Sequence, residues 1–325
     1  MNKRLPKYLL AAISLLFLFQ GNLPGQACCS SGAPVVSNLA VYNWQGTGLS
    51  MRLVYDYNYL NDLVSGERLL DDRSRTRATS TLMYRVAYTF RHRWSVIGLF
   101  PWVWQLERNA RQGKVFENRA SGLGDIILLG RYQWIQKTNQ GLAISLGVKT
   151  ASGLINRVDE ETGLPLNPDL QPGTGSWDGL FVLQFDQKIG KEFWGHLFGS
   201  YRLTTPNDRF AGQIQYEFGN ETQAFLGFSR PIPLLRVTPR PFIYVRYRHT
   251  QPDLTNGDVT PNTGGHWLHL VPQFQLDIGY NWGLDARAEI PLYRKLTGTQ
   301  LTTTYSLRFA VFYRLNNQAR PLNEF

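Results

Sequence analysis

Tyr305-Ser306-Leu307-Arg308-Phe309-Ala310-Val311-Phe312-Tyr313-Arg314-Leu315 decides the fold. One set of alternate positions reads Tyr, Leu, Phe, Val, Tyr, Leu, and the other reads Ser, Arg, Ala, Phe, Arg. A period of two, with an apolar side and a polar side, is the mark of a β-strand whose faces meet different surroundings. Tyrosines near both ends of the apolar side suit a strand that runs from one lipid–water interface to the other.

The same alternation recurs upstream. Leu49, Met51, Leu53, Tyr55, Tyr57 and Tyr59 alternate with Ser50, Arg52, Asp56 and Asn58. Trp94, Val96, Phe100, Trp102 and Trp104 share one side, and Leu284, Ala286, Ala288, Ile290 and Leu292 oppose Asp285, Arg287 and Glu289. About twelve such segments cover 47–315, with 210–231 taken as one long strand through Gly219-Asn220. Connections alternate between short ones, such as His92-Arg93 and Thr138-Asn139, and longer ones near 61–74, 108–120, 152–175, 205–209, 252–264 and 295–301. Short turns on one side and long loops on the other are the habit of outer-membrane barrels. Segments of about 12–17 residues exceed the usual ~5–6 of soluble sheets. The expected fold is all-β, a transmembrane antiparallel up-and-down barrel. A soluble sandwich is the competing reading, because its strands alternate in the same way.

Composition is consistent with this reading. The chain has 325 residues, is 43% hydrophobic and 18% charged, and has a mean hydropathy of −0.27. That excludes a bundle of membrane helices, which needs repeated apolar runs of ~20 residues. Half of every strand is polar, so a barrel does not raise bulk hydropathy. Two adjacent cysteines build neither a disulfide framework nor a four-ligand zinc site.

Lys3, Arg4 and Lys7 precede an apolar run from Leu9 to Phe19, and Gly25-Gln26-Ala27 offers small residues for cleavage. Residues 1–27 are therefore expected to be an export signal. Its loss removes three positive charges from the formal +10 and leaves about +7. Cys28 is a candidate for lipidation, although Gly25 stands where a lipid-attachment box wants Leu; a vicinal disulfide with Cys29 or free thiols are the alternatives. Residues 28–46 form a periplasmic segment, either a plug of the lumen or a free tail, and 316–325 form a C-terminal tail.

Closure of the sheet follows from the bilayer, where every backbone polar group needs a partner. The apolar sides then face lipid and the polar sides line the interior. Lumen-lining candidates are Arg52, Arg85, Asp125, Arg131, Asp178, Arg202, Glu217, Arg246, Arg248, Asp285, Arg287, Glu289 and Arg308. Near-equal numbers of both signs imply paired charges, which either fill a narrow charged lumen or line a conduit. Pro101, Pro272 and Pro291 each remove a ladder donor and mark candidate bulges or lateral openings.

Several motifs carry a resemblance. Ser121-Gly122-Leu123-Gly124-Asp125 opens one strand, and Leu146 to Gly153 (LGVKTASG) ends another. Asp169 to Asp178 (DLQPGTGSWD) leads into a third. Asn262-Thr263-Gly264-Gly265 precedes Leu270-Val271-Pro272, and Pro291-Leu292-Tyr293 precedes Gly298-Thr299-Gln300. Over roughly 45–315 the chain resembles the outer-membrane family of meta-pathway of phenol degradation proteins, often labelled simply "transporter". The resemblance implies an outer-membrane barrel that passes aromatic or other hydrophobic compounds. Within these motifs Pro172, Gly173 and Gly175 read as turn devices, and Asp125 and Asp178 as the groups with a lumen role. The Cys28-Cys29 start and the ten residues after Leu315 depart from the family pattern.

The function expected is a channel for passive passage of a small hydrophobic or aromatic solute. The alternatives are a closed anchoring barrel and an outer-membrane lipid-modifying enzyme. No local signature marks a Ser–His nucleophile. His266 and His269 are three apart, on opposite sides of a strand, so a metal pair is not expected. No cofactor is expected. The partners are outer-membrane lipid, a small-molecule solute and the barrel-assembly machinery. The basic excess is spread along strands rather than gathered in a patch, which argues against nucleic acid.

Overall fold

The computed structural model describes residues 47–315 except 112, 213, 235–236 and 280. Twelve antiparallel strands form one closed barrel. They are β1 (Gly48–Ser65), β2 (Arg75–Phe90), β3 (Trp94–Arg111), β4 (Ile127–Lys137), β5 (Gln140–Lys149), β6 (Asp178–Ile189), β7 (Phe193–Leu203), β8 (Glu221–Ser229), β9 (Val237–Thr250), β10 (Gly265–Ile278), β11 (Trp282–Leu296) and β12 (Thr299–Leu315). Each pairs with its sequence neighbour, and β12 returns to β1 from Leu49↔Leu315 to Ser65↔Thr299. Among the described residues no helix is long and apolar enough to cross a membrane.

Alternation fixes the orientation of the side chains. On β12 Leu307, Phe309 and Val311 are exposed, while Ser306, Arg308, Ala310 and Phe312 are buried inside. A one-residue slip would exchange these sets. Two aromatic girdles flank the exposed apolar band. At the end bearing Gly48 and Leu315, the Trp94 ring lies 4.6 Å from that of Tyr132 and the Trp282 ring 4.7 Å from that of Tyr313. At the other end lie Tyr59 with Tyr305 (5.5 Å) and Trp102 with Trp104. Tyr305 and Tyr313 are eight positions apart, or about 26 Å of strand, which matches a hydrocarbon core crossed at a tilt.

Three expectations about connections are corrected. The alternation over 210–231 is real, but it belongs to two sheets. Asn207–Phe210, Ile214–Glu217, Leu254–Thr255 and Asp258–Val259 form a separate four-stranded sheet in the outer loops. Phe210, Tyr216 and Phe218 make its apolar cluster. The chain leaves the barrel wall at Gly219, where a Cβ would lie 1.8 Å from the carbonyl oxygen of Gln251. Only Glu221–Ser229 joins the wall, so the barrel keeps twelve strands. The supposed loop 108–120 is instead a hairpin, because Lys114–Leu123 pairs with the upper half of β3. The supposed loop 295–301 is a tight turn at Thr297-Gly298, with Gly298 at φ +74° and the amide of Thr299 donating to Asn262 Oδ1 (2.8 Å).

The prolines mark changes of pairing. At Pro101, β3 exchanges β4, paired up to Leu99↔Ile127, for the hairpin strand, paired from Trp102↔Leu123. The amide of Gly124, on the bulging segment between them, donates to the Pro101 carbonyl (2.9 Å). Pro291 sits at a register shift against β10. The β11–β12 ladder also stops beside it, at Glu289↔Ser306. Above that point Ile290–Leu296 stays with β10 and Thr299–Tyr305 with β1. Arg294 crosses the gap, donating to the Thr303 carbonyl (3.0 Å) and pairing with Asp62. The gap starts level with Tyr305, so the unpaired edges lie at or beyond the outer girdle rather than in hydrocarbon. Pro272 lies where β10–β11 pairing lapses for two residues without a change of register.

Candidate solute pathway through the barrel

The interior has two unlike walls. Across β2–β8 the inward side chains at mid-height are apolar: Met83, Ile97, Leu99, Leu129, Leu180, Val182, Phe198 and Phe225 form one buried cluster that reaches Val54 on β1 and Ala310 on β12. The expected narrow, charged lumen is therefore only half charged.

The opposite wall, β9–β12 with β1, carries the ion pairs. Arg52 meets Asp285 (3.0 Å), Arg308 meets Asp56 (2.9 Å), and Arg287 meets Glu289 (3.0 Å), which also receives Arg246. Higher up, Glu221 on β8 takes Arg248 (2.8 Å) and Arg202 (3.8 Å). Phe225 joins the two walls, with the guanidinium groups of Arg246 and Arg287 at 5.6 and 5.0 Å from its ring centre. Burying each pair is costly unless the partners are held close and hydrogen-bonded, as Arg246, Arg248 and Arg308 are to their carboxylates. Glu217 lies elsewhere: it pairs with Leu254 in the outer-loop sheet, so its assignment to a barrel strand is corrected.

Asp125 and Asp178 meet at one lysine. Lys149 Nζ lies 2.9 Å from Asp125, 3.1 Å from Asp178 and 3.2 Å from the carbonyl of Ser176, and it also donates to Thr174 Oγ1. Asp125 further accepts from the amides of Gly153 (2.9 Å) and Thr174 (2.8 Å). Gly153 and Gly173 pass so closely that a Cβ on either would lie 2.5 Å from the Cα of the other. The first three motifs quoted from the sequence, 121–125, 146–153 and 169–178, are thus one structure: a buried knot that folds residues 150–177 back into the outer end of the barrel.

The inserted loop is anchored a second time. Arg77 on β2 pairs with Glu107 (3.0 Å) and with Asp169 of the loop (2.8 Å). Leu166 and Leu170 pack on Ala120, and Gln105 donates to the carbonyl of Gln171 (3.3 Å). Sequence reading missed Arg77 and Glu107 because they lie at the outer ends of their strands, beyond the clear apolar alternation. Extending the same alternation to 75–79 and 105–109 places them inside. Beside the loop, Ser80, Trp104, Leu106, Arg119 and Arg157 border an outer cleft open to solvent.

At the opposite end lies a smaller cavity, partly open to solvent. It is lined by Arg85, Arg131, His92, Arg93, Gln133 and Gln136, with Ala87 and Ile97 as its apolar members. Nearby on β6–β8, His196 Nδ1 lies 2.7 Å from Asp186 Oδ1 and Nε2 lies 2.8 Å from Ser229 Oγ, both at hydrogen-bond distance. Sequence reading missed this relay, because its members come from three strands. The order resembles a hydrolase relay, but Ser229 is 3% exposed, the rings of Phe242 and Tyr244 flank His196, and Ser229 lines neither cavity. Among the described residues no group of His, Cys, Asp and Glu could hold a metal ion. Cys28 lies outside the described residues.

In the outer loops, burial raises the pKa of Asp253 against the hydrogen bonds from Tyr216 Oη (2.6 Å) and the Gly219 amide (2.8 Å). At the loop tip the amide of Thr162 lowers that of Asp159.

No family model and no curated protein matches the sequence. Solved structures do match in fold. An outer membrane channel from Pseudomonas putida F1 superposes with a TM-score of 0.68 at 14% identity, covering 85% of this chain and 98% of that one. The transport unit of the autotransporter AIDA-I from Escherichia coli does so at 0.50 and 10% identity, covering 86% and 94%. The fold is that of a bacterial outer-membrane β-barrel.

Proposed function

We propose that this chain is an outer-membrane channel that passes a small hydrophobic or aromatic solute passively, and that it is a relative of the meta-pathway of phenol degradation family. The observation that carries the reading is the continuous apolar half-wall inside the lumen, from Met83 to Phe225. A barrel that only anchored itself would need apolar residues on its lipid face, whereas an inner apolar strip facing fixed ion pairs gives a hydrophobic body a surface to slide along. Similarity of fold to a barrel described as a channel supports the same reading. Export by the 1–27 signal, insertion by the barrel-assembly machinery, and the absence of cofactor and catalysis complete it. The inserted loop 150–177 favours a second reading, a closed barrel, because two sets of buried ion pairs pin it across the outer end.

Flux separates the two. Phospholipid vesicles leak hydrophobic solutes by themselves, so the protein belongs in vesicles whose outer leaflet is lipopolysaccharide. The channel reading predicts toluene or phenol uptake well above protein-free vesicles. Uptake equal to the protein-free rate leaves the closed barrel standing.

A further inference from the structure

Arg85 and Arg131 differ from the other lumen cations treated above. Those are tied to carboxylates within 4 Å, whereas no carboxylate lines the cavity these two share. Arg52 stands directly across from Arg85 in the β1–β2 register, but its own carboxylate partner is Asp285. Arg131 reaches only the side-chain oxygen of Gln133 (3.2 Å), and Asp186, which acts on it from β6, is engaged by His196. The buried Nε of Arg85 has no hydrogen-bond partner. Arg93 adds positive charge at the mouth, and His92, Gln133 and Gln136 add polar groups. Outside the described residues and the leader, Glu324 is the only side-chain carboxylate, and the 28–46 segment has none.

Two guanidinium groups facing one cavity without a counter-charge are held against mutual repulsion and desolvation, and an anion relieves both. What lies beside them limits which anion. Ala87 lines the cavity on the inner-mouth side of Arg85, with Ile97 across from it in the β2–β3 register, and both belong to the apolar cluster, as does Leu99, the register partner of Arg85. An anion seated on the arginines therefore has its remaining atoms against the apolar half-wall.

We propose that the inner mouth is a binding site for an amphipathic organic monoanion, a carboxylate on a compact hydrophobic body, with Arg85 and Arg131 taking the carboxylate and the apolar half-wall taking the body. This rests on the channel reading and names its substrate class. The arginines draw the charged group to the inner end while the body occupies the strip, which gives the passage polarity and selects acids over neutral analogues of the same size.

The test uses the full chain in detergent for binding and in lipopolysaccharide vesicles for flux, with benzoate, benzyl alcohol and inorganic phosphate as probes. Heat-modifiable gel mobility shows that each variant is a folded barrel. Benzoate should bind at least about tenfold more tightly than benzyl alcohol, and Arg85→Gln with Arg131→Gln should remove about that factor for benzoate alone. Arg85→Lys with Arg131→Lys should recover part of it. Equal affinity for the acid and the alcohol, or benzoate binding indifferent to the Gln pair, overturns the site. Phosphate competing as strongly as benzoate overturns the organic part. Glu324→Gln should change nothing; if it creates benzoate binding that the native chain lacks, the arginines serve the chain's own tail and the proposal falls. Binding in detergent without any flux defeats the channel reading and leaves the site intact, so the two failures are distinguishable.

Discussion

Replacing Lys149 by Met should release the loop that closes the outer end. The ammonium group is the single cation between Asp125 and Asp178, at 2.9 and 3.1 Å, and side-chain exposure is 2%, 4% and 1% for the three. Methionine nearly matches the lysine stem in volume, so packing changes little and two buried carboxylates lose their counter-charge. Breaking a buried pair by removing one partner costs about 3–5 kcal/mol. Asp125 keeps its bonds from Gly153 and Thr174, and Asp178 keeps Ser176, so the lower figure is the better guide. At about 1.4 kcal/mol per decade, 3 kcal/mol raises the local opening constant by roughly two orders of magnitude. Hydrogen exchange in detergent measures it directly. The amides of Gly153, Gly173 and Thr174 should exchange about a hundredfold faster, while β9–β12 should be unaffected. Neutralising the acids as well, Lys149→Met with Asp125→Asn and Asp178→Asn, should restore most of the protection. Exchange at those three amides within about threefold of native, with the barrel folded, would refute the knot as the anchor of the loop.

Three further outcomes are expected. Asp253 has a raised pKa in the fold, so its contribution to the outer four-stranded sheet is fully present below the unfolded carboxyl value of ~3.9 and declines as pH rises through the folded value; the Gly219 amide, corrected for intrinsic rate, should be better protected at pH 4.5 than at 7.5. Arg246→Gln with Arg248→Gln leaves Glu221 and Glu289 with one cation each, Arg202 and Arg287, and should shift single-channel selectivity toward cations; unchanged reversal potentials would count against their facing the conduit. Ser229, hydrogen-bonded to His196 but enclosed, should resist a fluorophosphonate probe in the folded barrel, and mass spectrometry locating the adduct on Ser229 would reopen hydrolysis.

The barrel was legible in the sequence because lipid on one side and a lumen on the other impose a period of two on each strand. Tyr305 to Leu315 has the side-chain orientations that its alternation implies. Parity also placed Arg52, Asp285, Arg287 and Arg308 inside. It could not tell which sheet a strand joins, so Ile214 to Phe218 was assigned to the wall when it pairs instead with a later loop. The inserted loop has no period, and its anchor from Arg77 to Asp169 spans 92 residues. Nor does the sequence mark Arg85 and Arg131 apart from the other lumen arginines. Whether a guanidinium has a carboxylate depends on the register of neighbouring strands and on long-range closure, as with Arg308 and Asp56, 252 residues apart.

The most direct measurement of the central claim locates a solute inside the barrel. Crystals soaked with a brominated benzene should show anomalous bromine density within the lumen, against Leu180, Phe198 and Phe225 and facing the ion pairs. Density confined to the lipid-facing surface would contradict the claim that the inner apolar wall carries the solute.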